Sequence, residues 1–271
     1  MKSGRKDFFF EKKKQKTFAP GAVKTIVLIP ARLAATRLPN KPLLDIAGQP
    51  MIVHVWRRAL EADLGPVTVA TDHADIAAAI TKLGGHAILT RADHPSGTDR
   101  IAEALATIDP DRTYDTIVNF QGDLPTVEPA ILRQTAALLR NPATDIATPV
   151  ALITNEADSA KSHIVKMVGT EFAPGQFRAL YFTRAPAPWG PGPHYHHIGL
   201  YVWRRAALER FVRLPPSPLE CREKLEQLRA LEAGLRIDAA LVHDVPLGVD
   251  TQEDLDAARQ RLSLPALAAS E

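Results

Sequence analysis

Residues 25–43 read TIVLIPARLAATRLPNKPL. The first five are apolar or β-branched and end at Pro30, the pattern of a short strand buried on both faces. The rest of the stretch sets Arg32, Arg37 and Lys41 among Pro30, Pro39 and Pro42. A solvated charge needs no proline to fix the backbone around it. Three cations in a stiffened loop at the end of a buried strand therefore read as a grip for a polyanion such as a triphosphate. In an open parallel sheet, ligands sit outside the carboxyl ends of the strands, where this loop falls. The competing reading is a surface charge cluster paired with Asp or Glu.

Working outward, strand and helix alternate. PMIVHVWRRALEA (50–62) predicts a helix with Pro50 near its first turn. VTVATD (67–72) predicts a strand, ADIAAAITKLGG (74–85) a helix closed by glycine, HAILT (86–90) a short strand, and residues 98–108 a helix. TIVNFQGD (116–123) and EPAILRQTAALLR (128–140) supply a fourth strand and helix. Four β-then-α units predict an α/β fold, a three-layer α/β/α sandwich on a mostly parallel sheet. After residue 145 the pattern changes. DIATPVALI (145–153), IVKMVG (164–169), RALYFTRA (178–185) and HIGLYVW (197–203) are strand-like without long helices between them, and APAPWGPGPHY (185–195) must be loop. This predicts a small β-rich insertion over about 155–203. Residues 216–235, with leucines at 219, 225, 228, 231 and 235, predict one helix; RIDAALV (236–242) predicts a strand and TQEDLDAARQRL (251–262) a helix capped by Thr251.

Charge is unevenly distributed. The 271 residues carry a net +2, but residues 1–20 hold seven Lys/Arg against two Asp/Glu, so the other 251 carry −3. The basic isoelectric point belongs to that terminus, and the body offers no nucleic-acid-binding surface. Residues 1–22 are expected to be a basic disordered tail, 23–264 the folded domain and 265–271 a C-terminal tail. The longest apolar run of the tail, Phe8–Phe10, is too short for a secretory signal, though a basic-aromatic arm can touch anionic lipid. No stretch approaches a membrane span. The single cysteine, Cys221, rules out an intramolecular disulfide and fits the cytoplasm.

Two carboxylates fall near the cation loop. NFQGD (119–123) ends the fourth strand with Asp123, and LGVDT (247–251) places Asp250 just before the last helix. Either alone reads as a helix cap or loop bond; two beside a phosphate grip suggest Mg²⁺, which takes one or two carboxylates plus phosphate oxygens and water. SGTDR (96–100) reads as a helix N-cap. His194, His196 and His197 alternate faces on a strand and match no zinc spacing; His197 either donates to a substrate or is packed. Neither a Walker loop nor a G-x-G-x-x-G fingerprint is present.

Taken in order, IPAR…TRLP.KPL, VATDH, TRADHPSGTDR, VN.QGD.P, ALYF.RAP.PW, H.G.Y, SPLE…LEQLR and GVDT.EDL resemble the 3-deoxy-manno-octulosonate cytidylyltransferase (CMP-Kdo synthetase) family over about residues 25–262. The resemblance implies a Rossmann-like nucleotidyltransferase that is a homodimer. It implies conversion of CTP and Kdo to CMP-Kdo and diphosphate, for lipopolysaccharide synthesis, with the β-rich insertion serving dimerisation and substrate. Carried over by residue, Arg32, Arg37 and Lys41 grip the triphosphate, and Ala31, Ser96 and Gly97 belong to the cytosine and ribose pocket. Asp123 and Asp250 are the Mg²⁺ ligands. Gln121, Arg184, His197, Tyr201, Glu226 and Gln227 form the sugar-acid pocket, with Arg184 the partner of the Kdo carboxylate. The expected catalytic set is Arg37, Lys41, Asp123 and Asp250. Asn40 stands where the family often has glycine and Leu124 where it often has glutamate. Alternatives are a cytidylyltransferase for another 2-keto acid sugar, such as an 8-amino Kdo analogue or a sialic acid, and a nucleotide-sugar-binding protein without turnover.

Overall fold

The computed structural model describes residues 23–34 and 37–263. The two expected tails, 1–22 and 265–271, lie outside the described residues. Strand β1 (Thr25–Ala31) leads through the cation loop and a tight hairpin, β2 (Asp45–Ile46) and β3 (Gln49–Pro50), into α1 (Met51–Glu61). The β/α alternation continues with β4 (Val67–Thr71), α2 (Ala74–Thr81), β5 (His86–Leu89), α3 (Gly97–Ile108), β6 (Thr116–Asn119) and α4 (Pro129–Ala137). Pro129 occupies the first turn of α4, where its missing N–H costs nothing.

The second half runs β7 (Ile146–Leu152), α5 (Glu156–Ser159), β8 (Lys166–Ala173), β9 (Gln176–Thr183), β10 (Tyr195–His197), β11 (Tyr201–Arg204), α6 (Arg205–Phe211), α7 (Pro218–Glu223), α8 (Gln227–Glu232), β12 (Ile237–Val242) and α9 (Gln252–Ser263). Strands β6, β1, β4 and β5 are parallel neighbours. β11 runs antiparallel between β6 and the start of β7, and β12 lies parallel on the other side of β7. β9 and β8 follow antiparallel, and β10 bridges β8 back to the far end of β7. The pairings β7–β12–β9–β8–β10–β7 thus close on themselves.

The α/β sandwich is as expected, but strand directions are mixed because the second half adds antiparallel strands. Segment 155–203 carries β8 to β11, and these strands join the one large sheet. Sidedness follows from the two-residue period of β1. Val27 and Ile29 face a core with Ile52, Trp56, Ile76 and Leu132, while Ile26 and Leu28 face Ile101, Leu105, Trp203 and Phe211. A third apolar cluster joins Leu38 of the cation loop, Ile46, Met51, Val249, Leu255 and Ala258. Burying Val249 and Leu255 there contributes about 1.5–3 kcal/mol each. That cluster seats the start of α9 beside the loop after β1.

Three local expectations are corrected. The helix expected over 216–235 is broken, because Lys224 is left-handed (φ 57, ψ 46) and closes α7 before α8 begins. Glu220 accepts the Ser217 N–H (2.9 Å) at the start of α7 and takes Arg229 of α8, fixing the corner. The strand expected over 197–203 is two strands, β10 and β11, separated at Ile198–Leu200. There Thr148 Oγ1 takes the carbonyls of Ile198 (3.2 Å) and Leu200 (2.8 Å). Helices α5 and α6 are additional. Among the described residues no helix is long and apolar enough to cross a membrane.

Candidate active site

The cation loop is tied down at Asp72, just past β4. One Asp72 carboxylate oxygen accepts the Leu33 N–H (3.1 Å), and the other pairs with buried Arg100 (3.4 Å). Arg100 also donates to Thr90 Oγ1 (2.6 Å) and the Arg91 carbonyl (3.0 Å). Burial, chiefly, lowers its pKa; Arg32 adds to the effect and Asp72 opposes it. Farther along, Asn40 is left-handed (φ 57, ψ 26) at the start of the turn that carries Lys41. Asn and Gly tolerate that conformation, so Asn40 meets the backbone demand of this turn.

Lys41 is the centre of the site. Its Nζ donates to Asp123 Oδ2 (2.9 Å), to the Val249 carbonyl (2.8 Å) and to Asp250 Oδ1 (3.0 Å). Burial works against its charge, but Asp123 first and Asp250 next outweigh it and raise the lysine pKa. Two carboxylates this close repel unless a cation sits between them; here the cation is Lys41. Arg37 holds the other Asp250 oxygen (3.2 Å) at an exposed position. Asp250 owes its place to α9. Thr251 caps that helix through the Asp254 N–H (3.2 Å), while Asp254 accepts the N–H groups of Asp250 and Thr251. The Asp250 carboxylate is therefore left for the cleft. The backbone link Val249 N–H to Asp123 carbonyl (2.9 Å) holds the two acidic segments together.

These groups line one cleft of about 290 Å³ at the carboxyl ends of β1 and β6. Arg32, Arg37, Lys41, Asp123 and Asp250 are in its wall, as are Ala31, Ser96, Gly97 and Gln121. Ser96 caps α3 as expected, its Oγ accepting the Asp99 N–H (3.1 Å). Two glycines let the walls approach. A Cβ on Gly122 would lie 2.7 Å from the Pro30 carbonyl oxygen, and one on Gly97 would lie 3.2 Å from Pro30 Cγ.

Of the expected sugar-pocket residues, Gln121 lines this cleft. Half-buried Glu226 and buried Tyr201 and His197 lie behind it as one group. Glu226 accepts from Thr98 Oγ1 (2.6 Å); burial raises its pKa, opposed by the Thr98 and Ser96 hydroxyls. The Tyr201 phenol is pushed well above its ordinary value by burial and then by Glu226. Tyr201 contacts His197, with ring centroids 5.5 Å apart. His197 is packed: its ring meets Phe182 edge-on, its Nε2 bonds Thr148 Oγ1 (2.9 Å), and burial lowers its pKa to about 3. Gln227 is buried, and its Nε2 has no hydrogen-bond partner. Arg184 stands apart, at the corner between β9 and α7–α8. Its guanidinium donates to the carbonyls of Glu223, Ser162 and Lys224.

Sequence reasoning missed Asp72, Arg100 and His94. His94 lines the cleft and is bonded to Glu103. The signal was present, since Asp72 ends VATD and Arg100 ends SGTDR, but a lone polar residue at an element end reads first as a cap. Leu124 is buried in the core beside Gly248, so it has a packing role next to the acidic pair.

Comparison with known proteins agrees with this architecture. The cytidylyltransferase family model matches residues 26–237. A 3-deoxy-manno-octulosonate cytidylyltransferase of Methylobacterium sp. (strain 4-46) is 63% identical over 234 residues, covering 86% of this chain and 95% of that protein. One from Rhodopseudomonas palustris (strain HaA2) is 62% identical over 242 residues, covering 89% and 99%. A solved CMP:2-keto-3-deoxy-manno-octonic acid synthetase complexed with CTP superposes with a TM-score of 0.82 at 38% identity, over 88% of this chain and 98% of that one. A UDP-glucose pyrophosphorylase complexed with UDP-glucose shares the fold, with a TM-score of 0.64 at 17% identity, over 89% and 98%.

Proposed function

Because this chain belongs to the 3-deoxy-manno-octulosonate cytidylyltransferase family, we propose that its cleft holds CTP and Kdo and transfers CMP to the anomeric hydroxyl of Kdo, releasing diphosphate. The observation that carries the assignment of roles is Lys41 bridging Asp123 and Asp250, with Arg32 and Arg37 at the same cleft. Displacement at the α-phosphorus needs charge neutralised on the departing diphosphate and a nucleophile held in line. The loop cations meet the first need. Arg32, Arg37 and Lys41 bring positive charge to phosphate oxygens from a loop that Pro39 and Pro42 stiffen and Asp72 anchors, Arg37 and Lys41 turning from the carboxylates they hold. Ser96 and Gly97, at the first turn of α3, and Ala31, at the end of β1, wall the nucleoside end. Gln121 faces the sugar acid.

Mg²⁺ belongs to this reading. Asp123 and Asp250 set two carboxylates side by side at the cleft, both held by Lys41 Nζ (2.9 and 3.0 Å), and hard oxygen donors of this kind suit Mg²⁺ better than a softer ion. Among the described residues no group of three or more His, Cys, Asp or Glu could hold a metal, so Asp123 and Asp250 would share the ion with phosphate oxygens and water. When bound, Mg²⁺ supplies charge neutralisation on the phosphates and acidifies a coordinated hydroxyl. The same reading includes a homodimer through the β-rich half, supported by exposed Phe172, Leu180 and Trp189 on and just after β8–β9. It also includes a cytoplasmic place in lipopolysaccharide precursor synthesis.

The test is diphosphate release from CTP with Kdo, an 8-amino Kdo analogue or a sialic acid as acceptor, read by phosphorus NMR with Mg²⁺ present. The expected result is turnover with Kdo at the highest kcat/KM. Preference for either other acid would reassign the sugar, and nucleotide binding without diphosphate in any arm would make the chain a binding protein.

A further inference from the structure

Behind Gln121 a hydrogen-bond chain runs inward through two buried side chains. Gln121 Nε2 donates to Asn119 Oδ1 (3.2 Å), Asn119 Nδ2 donates to Thr98 Oγ1 (3.2 Å), and Thr98 Oγ1 donates to Glu226 Oε1 (2.6 Å). Asn119 and Thr98 are both fully buried. The direction of the chain follows from its last member. In its ionised form, which the Thr98 and Ser96 hydroxyls favour against burial, Glu226 only accepts, so the single proton of the Thr98 hydroxyl is committed to it. Thr98 can then only accept from Asn119, which forces Nδ2 toward it and Oδ1 toward Gln121. Gln121 must in turn give an N–H to Asn119. Its Oε1 is left on the cleft side, where a Cβ on Gly97 would lie 3.4 Å from it.

We propose that Thr98 and Asn119, anchored on Glu226, are positioning residues that lock the Gln121 amide with its carbonyl oxygen toward the cleft, as a fixed acceptor for a hydroxyl of the sugar acid. Without the anchor, both amides can turn over at little cost. Gln121 would then offer an N–H as often as an oxygen, and a buried polar group would lose its partner in one of the two arrangements. The inference rests on the reading that Gln121 faces the sugar acid, and it adds what sets the polarity of that contact.

The experiment is steady-state kinetics in both substrates for Thr98→Val, Thr98→Ser, Gln121→Ala and the double variant Thr98→Val/Gln121→Ala. Valine keeps the shape of threonine without its hydroxyl; serine keeps the hydroxyl. Thr98→Val is expected to raise the KM for Kdo about five- to tenfold, the worth of one hydrogen bond, with the KM for CTP within about twofold of wild type. Thr98→Ser is expected to restore the Kdo KM. Because Thr98 acts through Gln121, adding Thr98→Val to Gln121→Ala should change nothing further. Should Thr98→Val fail to fold, Asn119→Ala in the same two backgrounds asks the same question. Equal rises in both KM values, or full additivity in the double variant, would make Thr98 merely structural and overturn the proposal. A raised Kdo KM in Gln121→Ala with a normal one in Thr98→Val would overturn the relay and leave Gln121 its role. A normal Kdo KM in Gln121→Ala would sink the reading beneath it and the proposal together.

Discussion

Replacing Lys41 by methionine removes the ammonium and keeps most of the aliphatic stem. Three bonds at 2.8–3.0 Å go with it, two of them to carboxylates. Charge-assisted bonds of this kind are worth about 1.5–3 kcal/mol each at most. Asp123 and Asp250 are 37% and 51% exposed, so water takes over much of their solvation, and the net loss of stability falls to about 1–2 kcal/mol. For a chain of this size that is a drop of about 2–8 °C in Tm. The catalytic loss is expected to be larger, because the ammonium meets phosphate charge that grows in the transition state: about one to two decades in kcat/KM for CTP. The folded-state pKa of Lys41 is raised. Its contribution is therefore fully present below the unfolded lysine value and is lost only as pH rises through the higher folded value. The Tm gap between wild type and variant should thus be constant from neutral pH up to that alkaline window. Thermal melts across pH and diphosphate-release kinetics read both effects. An unaltered kcat/KM for CTP would return the three cations to a surface-charge role.

Three further outcomes are expected. Asp109 is held at a pKa of about 2, where burial opposes the charge but is outweighed by the N–H groups of Tyr114 and Thr113, the Thr113 hydroxyl and Arg205. Asp109→Asn should cost about 2 kcal/mol near neutrality, a gap that closes as pH falls from about 4 toward 2 in urea melts; a pH-independent gap would sink this. His197 is buried neutral with its pKa near 3, so its share of stability is complete above the ordinary histidine value and declines by up to about 1.4 kcal/mol per pH unit below it; His197→Phe should flatten that part of the pH–stability curve. Gly122→Ala would press a Cβ to 2.7 Å from the Pro30 carbonyl, which should lower kcat/KM for CTP by about a decade while circular dichroism shows a folded protein; wild-type kinetics would mean that the two segments part freely.

The β/α alternation of the first half was legible because each strand is a short apolar run and the helices are marked by a first-turn proline, a cap or a closing glycine. Ser96 and Thr251 cap the helices expected of them, and the carboxylates at the ends of VNFQGD and LGVD do converge on the loop lysine. What sequence could not show was tertiary. The leucines from 219 to 235 keep helical spacing through Lys224, so nothing local announces the left-handed break that buries Gln227. The ring of strands from β7 to β10 closes through pairings distant in sequence. His197 reads in sequence as a donor to substrate or as a packed ring, and nothing local foretells that Thr148 across the sheet meets its Nε2. Arg184 carries the right charge for a carboxylate, and no motif foretells that three of its five N–H groups go to backbone carbonyls.

The central claim is that Asp123 and Asp250, gathered around Lys41, form the seat of CMP transfer. Asp250→Asn tests it most directly, since asparagine keeps the shape and Thr251 still caps α9. Diphosphate release from CTP and Kdo, measured against Mg²⁺ concentration, is predicted to fall by about two decades or more in kcat, the scale of one lost electrostatic contact in the transition state, with the Mg²⁺ requirement shifted upward and Tm little changed. A near-wild-type kcat with an unshifted Mg²⁺ dependence would make Asp250 a helix-terminus residue and contradict the account.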